Sequence, residues 1–200
     1  MSTLRCLLSV TLLSWFYALE CAQPVWAEGP QQVIAIGDHH GDLFYSLATL
    51  HSAGVIDQNG QWSLGDAIVV QVGDILDRGD DCRYILDFYH KLGQEAEAAG
   101  GQVIQLLGNH EIMNLGNQLR YVTKGDFSLF GGRTNRAKAF RPSSEYGRRV
   151  RQFPLVATVN DTVFVHGGIM PVWAEKGVAE LNRLAAKALA EENYWRAPVW

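Results

Sequence analysis

Val33-Ile34-Ala35-Ile36-Gly37-Asp38-His39-His40-Gly41-Asp42, residues 33 to 42, runs from four apolar side chains directly into a cluster of aspartates and histidines. A short apolar run closed by glycine predicts a buried strand. The pattern recurs: Ala67 to Val72 (AIVVQV) leads into GDILDRG at 73 to 79, and Gln102 to Leu107 (QVIQLL) leads into GNHE at 108 to 111. Two helical stretches separate these runs. Asp42 to Ala53 places Leu43, Leu47 and Leu50 on one face, and Asp80 to Ala99 is closed by Gly100-Gly101. Strand alternating with helix predicts βαβ units and a largely parallel sheet, hence an α/β fold. Further on, Leu155 to Val159 and Thr162 to Val165 read as a hairpin turned at Asn160-Asp161, with HGG at 166 to 168 behind it. Residues 116 to 141 read as a glycine-containing loop, and Ala179 to Glu192 as an amphipathic packing helix.

The 200 residues are 48% hydrophobic and 19% charged, which excludes disordered and fibrous classes and allows one sizeable core. A net charge of -4 exerts no global pull on nucleic acid, so no nucleic-acid partner is expected. The charge is uneven, however: residues 120 to 151 hold nine Lys or Arg against Asp126 and Glu145. The plain reading is a solvated surface; the functional one has Arg120, Arg133 or Arg136 meeting a phosphorylated or acidic substrate. At the N-terminus, Arg5 precedes an apolar stretch from Cys6 to Leu19, and Val25-Trp26-Ala27 offers a small residue for cleavage. Residues 1–27 therefore read as a cleaved secretory signal, giving a periplasmic, lumenal or secreted address and no membrane attachment afterwards. An uncleaved anchor is the alternative, although the apolar run falls short of the roughly 18 residues that a spanning helix needs. Cleavage leaves Cys82 as the one cysteine, so neither an internal disulfide nor a cysteine metal cluster is expected.

Every predicted strand, or strand pair, ends in residues that bind metals. In an open α/β sheet the C-terminal edge is where loops leave the core and can converge on one crevice. Asp38, His40, Asp74, Asn109 and His166 supply oxygen and nitrogen donors without thiolate, a set suited to Mn, Fe or Zn. Two ions sharing Asp74 would account for the mixture. Asp38 and His40 are two apart in extended chain and can face the same way, which turns His39 elsewhere, as a packing or supporting residue.

The series GDHHG, GDILDRG, GNHE and HGG resembles, in order, the motifs of the calcineurin-like metallophosphoesterases, G-D-x-H-G, G-D-x-x-D-R-G, G-N-H-E and H-G-G. Within that group it is most similar to the phosphoprotein phosphatase superfamily. GNHEIMN at 108 to 114, LRYV at 119 to 122 and the Ala139-Phe140-Arg141-Pro142 segment resemble the bacterial-type branch called Shewanella-like phosphatases. The resemblance runs from about Val33 to Pro171. It implies an α-β-β-α sandwich over residues 28–200, incomplete at its C-terminus, with the later strands missing. It also implies roles: Asp38 and His40 hold the first ion, Asp74 bridges, and Asn109 with His166 hold the second. Asp77 orients His110, the general acid that protonates the leaving group, while Arg78, with Asn109 and His110, binds the phosphate. Two cations about 3.5 to 4 Å apart lower the pKa of a bridging water, so that hydroxide attacks phosphorus in line. Glu111 reads as a hydrogen-bonding partner rather than a ligand.

The pattern breaks after HGG, where the family carries a further phosphate-binding Arg and another His that completes the second metal site. The six histidines are His39, His40, His51, His90, His110 and His166, so none follows HGG, and Arg196 is the candidate stand-in for the Arg. The expected activity is metal-dependent hydrolysis of phosphomonoesters, with a phosphorylated protein as the expected substrate. Two alternatives stand beside it: hydrolysis of dinucleoside polyphosphates or other small phosphodiesters, and a catalytically impaired phosphate-binding module. Oligomeric state is left open.

Overall fold

The structure, a computed structural model, describes residues 31–191 and 199–200. The predicted signal at residues 1–27 and the candidate stand-in Arg196 lie outside the described residues.

Strand β1 (Val33–Ile36) is followed by α1 (Leu43–Ser52), β2 (Ile68–Gln71), α2 (Cys82–Ala98) and β3 (Gln102–Gln105). The three strands lie side by side in chain order, parallel throughout, with Val33 opposite Ile68 and Ile68 opposite Gln102. Strand direction and sheet class are as expected; β1 spans its whole apolar run, whereas β2 and β3 are a little shorter than theirs. Asp42 caps α1 by accepting the Tyr45 N–H at 3.0 Å, and Leu50 is buried with Leu43 and Leu47 packed against the same core.

Side chains of β2 alternate between two cores, as a pleated strand requires. Val69 faces a cluster with Leu50, Ile85, Leu86, Tyr89 and Leu92 of the helices. Ile68 and Val70 face a smaller cluster with Leu106, Ala157 and Val159. The second cluster is closed by β4 (Val156–Val159) and β5 (Thr162–Val165), an antiparallel pair turning at Asn160, whose φ is 52°. Helices thus cover one face of the parallel sheet and the hairpin covers the other.

Between β3 and the hairpin the chain is more helical than its glycines suggest. After α3 (Asn109–Leu115), the predicted loop at 116 to 141 contains α4 (Lys124–Leu129) and α5 (Arg133–Ala139), and α6 (Glu145–Val150) follows. A cap and two glycines set the helix ends, and a buried contact holds the two helices together. Thr123 caps α4 by accepting the Asp126 N–H at 3.1 Å, and Gly131 and Gly132, at φ 74° and 108°, break the helix and let α5 fold back. That return places Arg136 Nε 2.8 Å from Asp126 Oδ2, both fully buried. The guanidinium lies over the Phe140 ring at 3.9 Å and the Phe130 ring at 4.8 Å. Arg136 is therefore a core residue, and its candidacy as a substrate-binding cation is withdrawn. The chain then passes through α7 (Pro171–Ala174) to α8 (Val178–Leu189), whose Asn182 Oδ1 accepts the Leu155 and Val156 N–H groups at 2.9 and 3.0 Å. Among the described residues, no helix is long and apolar enough to cross a membrane.

Candidate active site

The C-terminal ends of β1, β2 and β3 and the end of β5 deliver the predicted residues to one place. Strand-end turns must approach closely for this, and glycine allows it: a Cβ on Gly73 would lie 2.6 Å from the Gly108 nitrogen. The functional residues themselves adopt unusual backbone. Of the six non-glycine residues with positive φ among the described residues, four are His40 (47°), Asp74 (56°), Asp77 (70°) and Arg78 (67°). Such conformations cost energy and persist where surrounding bonds enforce them.

Glu111 supplies much of that enforcement. Its buried carboxylate accepts the N–H groups of Asp74 (2.8 Å), Ile75 (3.0 Å), Leu76 (3.2 Å) and Gly108 (2.8 Å), tying the turn after β2 to the start of α3. Burial, and next the Asp74 charge, push its pKa up to about 7, while the backbone N–H bonds pull the other way. It acts as the expected hydrogen-bonding partner. His39 is buried with Nε2 2.6 Å from the Tyr89 hydroxyl, facing away from its neighbour as expected; burial lowers its pKa to about 4, against a smaller opposing pull from Asp38.

Asp74 is the hub. Its Oδ1 accepts the His110 N–H at 2.9 Å, which leaves Oδ2 to face His166 Nε2 at 3.4 Å, His40 Nε2 at 3.7 Å and His110 Nε2 at 3.9 Å. Two backbone carbonyls fix the rings on either side. His40 Nδ1 lies 3.1 Å from the Leu76 oxygen, and His166 Nδ1 lies 3.1 Å from the Val72 oxygen. A carbonyl can only accept, so each neutral ring carries its proton on Nδ1 and turns an Nε2 lone pair inward. The His40 lone pair meets Asp38 Oδ2 at 3.5 Å as well as Asp74, and the His166 lone pair meets Asn109 Oδ1 at 3.1 Å as well as Asp74.

Acceptor thus faces acceptor on both sides of Asp74, an arrangement that a cation satisfies and a hydrogen bond does not. Metal–ligand bonds of about 2.0 to 2.2 Å put neighbouring donors roughly 3.0 to 3.5 Å apart, close to the spacings observed. The residues present therefore fit two cation sites that would share Asp74.

His110 stands against this pair, its ring 4.8 Å from that of His40. Its Nδ1 is 2.7 Å from Asp77 Oδ2, and both side chains are buried. Its Nε2 lies 3.3 Å from an Arg78 guanidinium nitrogen. Ligand atoms of His40, Asp74 and His110 fall within 4.8 Å of one another, so distance alone would admit His110 as a ligand. The guanidinium beside Nε2 argues for an anion there, since it repels a second cation. Exposed Arg78 is anchored by its backbone, whose N–H donates to the Tyr121 carbonyl at 3.0 Å. The Tyr121 ring, 43% exposed, lies 5.1 Å from the His110 ring, with the Arg120 guanidinium 5.0 Å above it.

Of the basic candidates, Arg120 is thus held beside His110 through Tyr121, whereas Arg133 stacks on Phe127 at 5.2 Å. Tyr121 was not among the residues singled out from the sequence; its only signal there was its place in LRYV. A cavity of about 420 Å³ opens beside Asn109 and His166, with Ile112, Met170, Trp173 and Trp200 among its walls. His51 and His90 are exposed on their helices, away from this constellation.

Residues 32–196 match the calcineurin-like phosphoesterase family. The chain belongs to that family. Its members are dinuclear metal enzymes that hydrolyse phosphoesters, which agrees with the donor set around Asp74. Shewanella-like protein phosphatase 2 of Arabidopsis thaliana is 36% identical over 78% of this chain and 51% of its own length. Shewanella-like protein phosphatase 1 of Plasmodium berghei is 32% identical over 81% of this chain and 45% of its own. Among solved structures, the cold-active protein-tyrosine phosphatase of a psychrophilic Shewanella species superposes with a TM-score of 0.73 at 34% identity, covering 80% of this chain and 50% of that one. This chain spans about half the length of the curated relatives it matches.

Proposed function

We propose that the protein hydrolyses phosphomonoesters on phosphorylated protein side chains, with aryl esters such as phosphotyrosine its best substrates. The observation that carries the reading is the adjacency, at the C-terminal edge of the parallel sheet, of an acid held by Asp77, a guanidinium and two acceptor-lined cation sites. Asp38 and His40 would hold one divalent ion, Asn109 and His166 the other, and Asp74 both; Mn, Fe and Zn suit these donors. When bound, the ions supply positive charge to the phosphoryl oxygens and an activated water. The chain's own residues do the rest. Arg78 offers parallel N–H donors to the phosphate. Asp77 accepts the His110 Nδ1–H, so the proton given to the departing oxygen is one carried on Nε2. Tyr121 lines the side on which the leaving group departs, where its exposed ring offers a stacking partner to an aromatic alcohol. The tyrosine phosphatase activity in the name of the Shewanella neighbour supports the same preference. The proposal includes the secretory address, which predicts a mature chain beginning at Glu28.

The test is hydrolysis of a chromogenic aryl phosphate by the Mn-loaded protein, beside an Asp74→Asn control. Turnover that falls at least about a hundredfold in the control supports the reading, because Asp74 would help hold both ions. Turnover unaffected by the substitution, or none in a folded, metal-loaded wild type, refutes it. In the second case phosphate binding without hydrolysis would identify an impaired module.

A further inference from the structure

Beneath the His110–Asp77 pair lies a sulfur that the proposed reaction does not touch. Cys82, the first residue of α2, is fully buried. Its Sγ accepts the Asp77 N–H at 3.2 Å, with the Gly79 carbonyl 3.9 Å away. The turn that carries His40 rests on the same atom, since a Cβ on Gly41 would meet Sγ at 2.9 Å. On a further side stands Asp126, held by Arg136; burial first, then the Asp126 charge, raises the thiol's pKa and keeps the sulfur a neutral acceptor.

Three parts of the fold meet at this sulfur: the turn after β1, the turn after β2 and the α4–α5 pair. Asp77 most needs such support. At φ 70° it sits in the left-handed region, which side chains other than glycine resist, and a small rotation there would swing its carboxylate off His110 Nδ1, now 2.7 Å away. The sulfur receives the Asp77 amide, so it fixes the backbone from which that carboxylate projects.

We propose that Cys82 is a positioning residue: by accepting the Asp77 N–H it holds the Asp77 carboxylate on His110 and thereby sets the orientation of the proton donor. Its kinetic consequence rests on the phosphoesterase reading; its structural consequence does not. The two are separated by measuring both in wild type, Cys82→Ser, Cys82→Ala and Cys82→Val. Serine retains a hydrogen-bond acceptor, whereas alanine and valine remove it with and without loss of volume, and circular dichroism establishes which variants fold.

The first readout is the His110 Nδ1–H proton resonance, shifted downfield by its bond to Asp77. It is expected in wild type and Cys82→Ser and is lost or displaced upfield in whichever of the other two folds. The second is kinetics on phenyl phosphate and on dinitrophenyl phosphate, whose leaving group departs without a proton. General acid catalysis is worth roughly a hundredfold to ten-thousandfold, so a loosened acid should lower kcat on phenyl phosphate about tenfold, with KM within about twofold. The loss should be small on dinitrophenyl phosphate and recovered in Cys82→Ser. A resonance unchanged in the non-accepting variants overturns the proposal, as does an equal loss on both esters. An inactive wild type whose resonance still responds in the expected way refutes the phosphoesterase reading and supports the positioning role.

Discussion

His39 and His40 are neighbours in sequence with opposite fates. His40 turns its Nε2 toward Asp38 and Asp74, while His39 is buried against Tyr89 with its pKa lowered to about 4. The sign of the consequence follows from where each state binds its proton. The unfolded chain takes one up at His39 near 6.5, the folded chain only near 4, so stability present above pH 6.5 is lost as pH falls through that window. Glu111 runs opposite, since its raised pKa favours the folded state as pH falls from 7 toward the ordinary carboxylate range. Subtracting a His39→Gln variant, which keeps Glu111, isolates the histidine. Urea unfolding of chelator-treated protein should show wild type losing up to about 3 kcal/mol relative to that variant between pH 6.5 and 4. A pH-independent difference would contradict the burial argument.

At the scale of elements, the strands end where chemistry starts, and the short helices beyond them act as buttresses. Gly73 and Gly108 bring the turns after β2 and β3 into backbone contact, and Glu111 at the start of α3 receives the amides of both. Helices α4 and α5 are joined by the buried Arg136–Asp126 pair, in which two guanidinium nitrogens have no hydrogen-bond partner and lie among aromatic rings. Breaking a buried pair leaves a stranded charge, whereas replacing both partners by apolar groups removes the need for either. Arg136→Met should therefore destabilise the fold by about 3 to 5 kcal/mol in chemical denaturation, and the double variant with Asp126→Leu should recover most of the loss. No recovery would mean that the pair does more than satisfy itself.

At the scale of the whole molecule, the candidate ligands come from four chain segments spread between residues 38 and 166. A cation held among them binds the folded chain and not the unfolded one, so it must stabilise the fold by mass action. Thermal unfolding of metal-stripped protein should shift upward on titration with Mn²⁺, by about 2.7 kcal/mol of stability at one hundred times Kd. The shift should shrink in His166→Gln and nearly vanish in Asp74→Asn, whose Oδ2 faces both histidine sets. Equal shifts in all three proteins would place metal binding elsewhere.

The sequence by itself determined the α/β class, the strand order with the two helices between the parallel strands and the one after the hairpin, the hairpin at Asn160 and the residues that gather at the site. These are legible because apolar periodicity and strand-end glycines are local signals, and because the clusters recur at every strand end. Four things were decided only by the tertiary structure. The stretch from 116 to 141 folds into helices because Arg136 finds Asp126 ten residues away and two phenyl rings close over it, which composition reads as surface charge. The tautomers of His40 and His166 are set by the carbonyls of Leu76 and Val72, groups that every residue carries and no motif marks. Tyr121 comes to flank His110 because Arg78 bonds to its carbonyl. Cys82 reads as an isolated core cysteine until the turns carrying His40 and Asp77 are seen to rest on its sulfur. In each case the partner is a backbone group or a side chain from another element, and the sequence does not record how the folded chain brings such groups together.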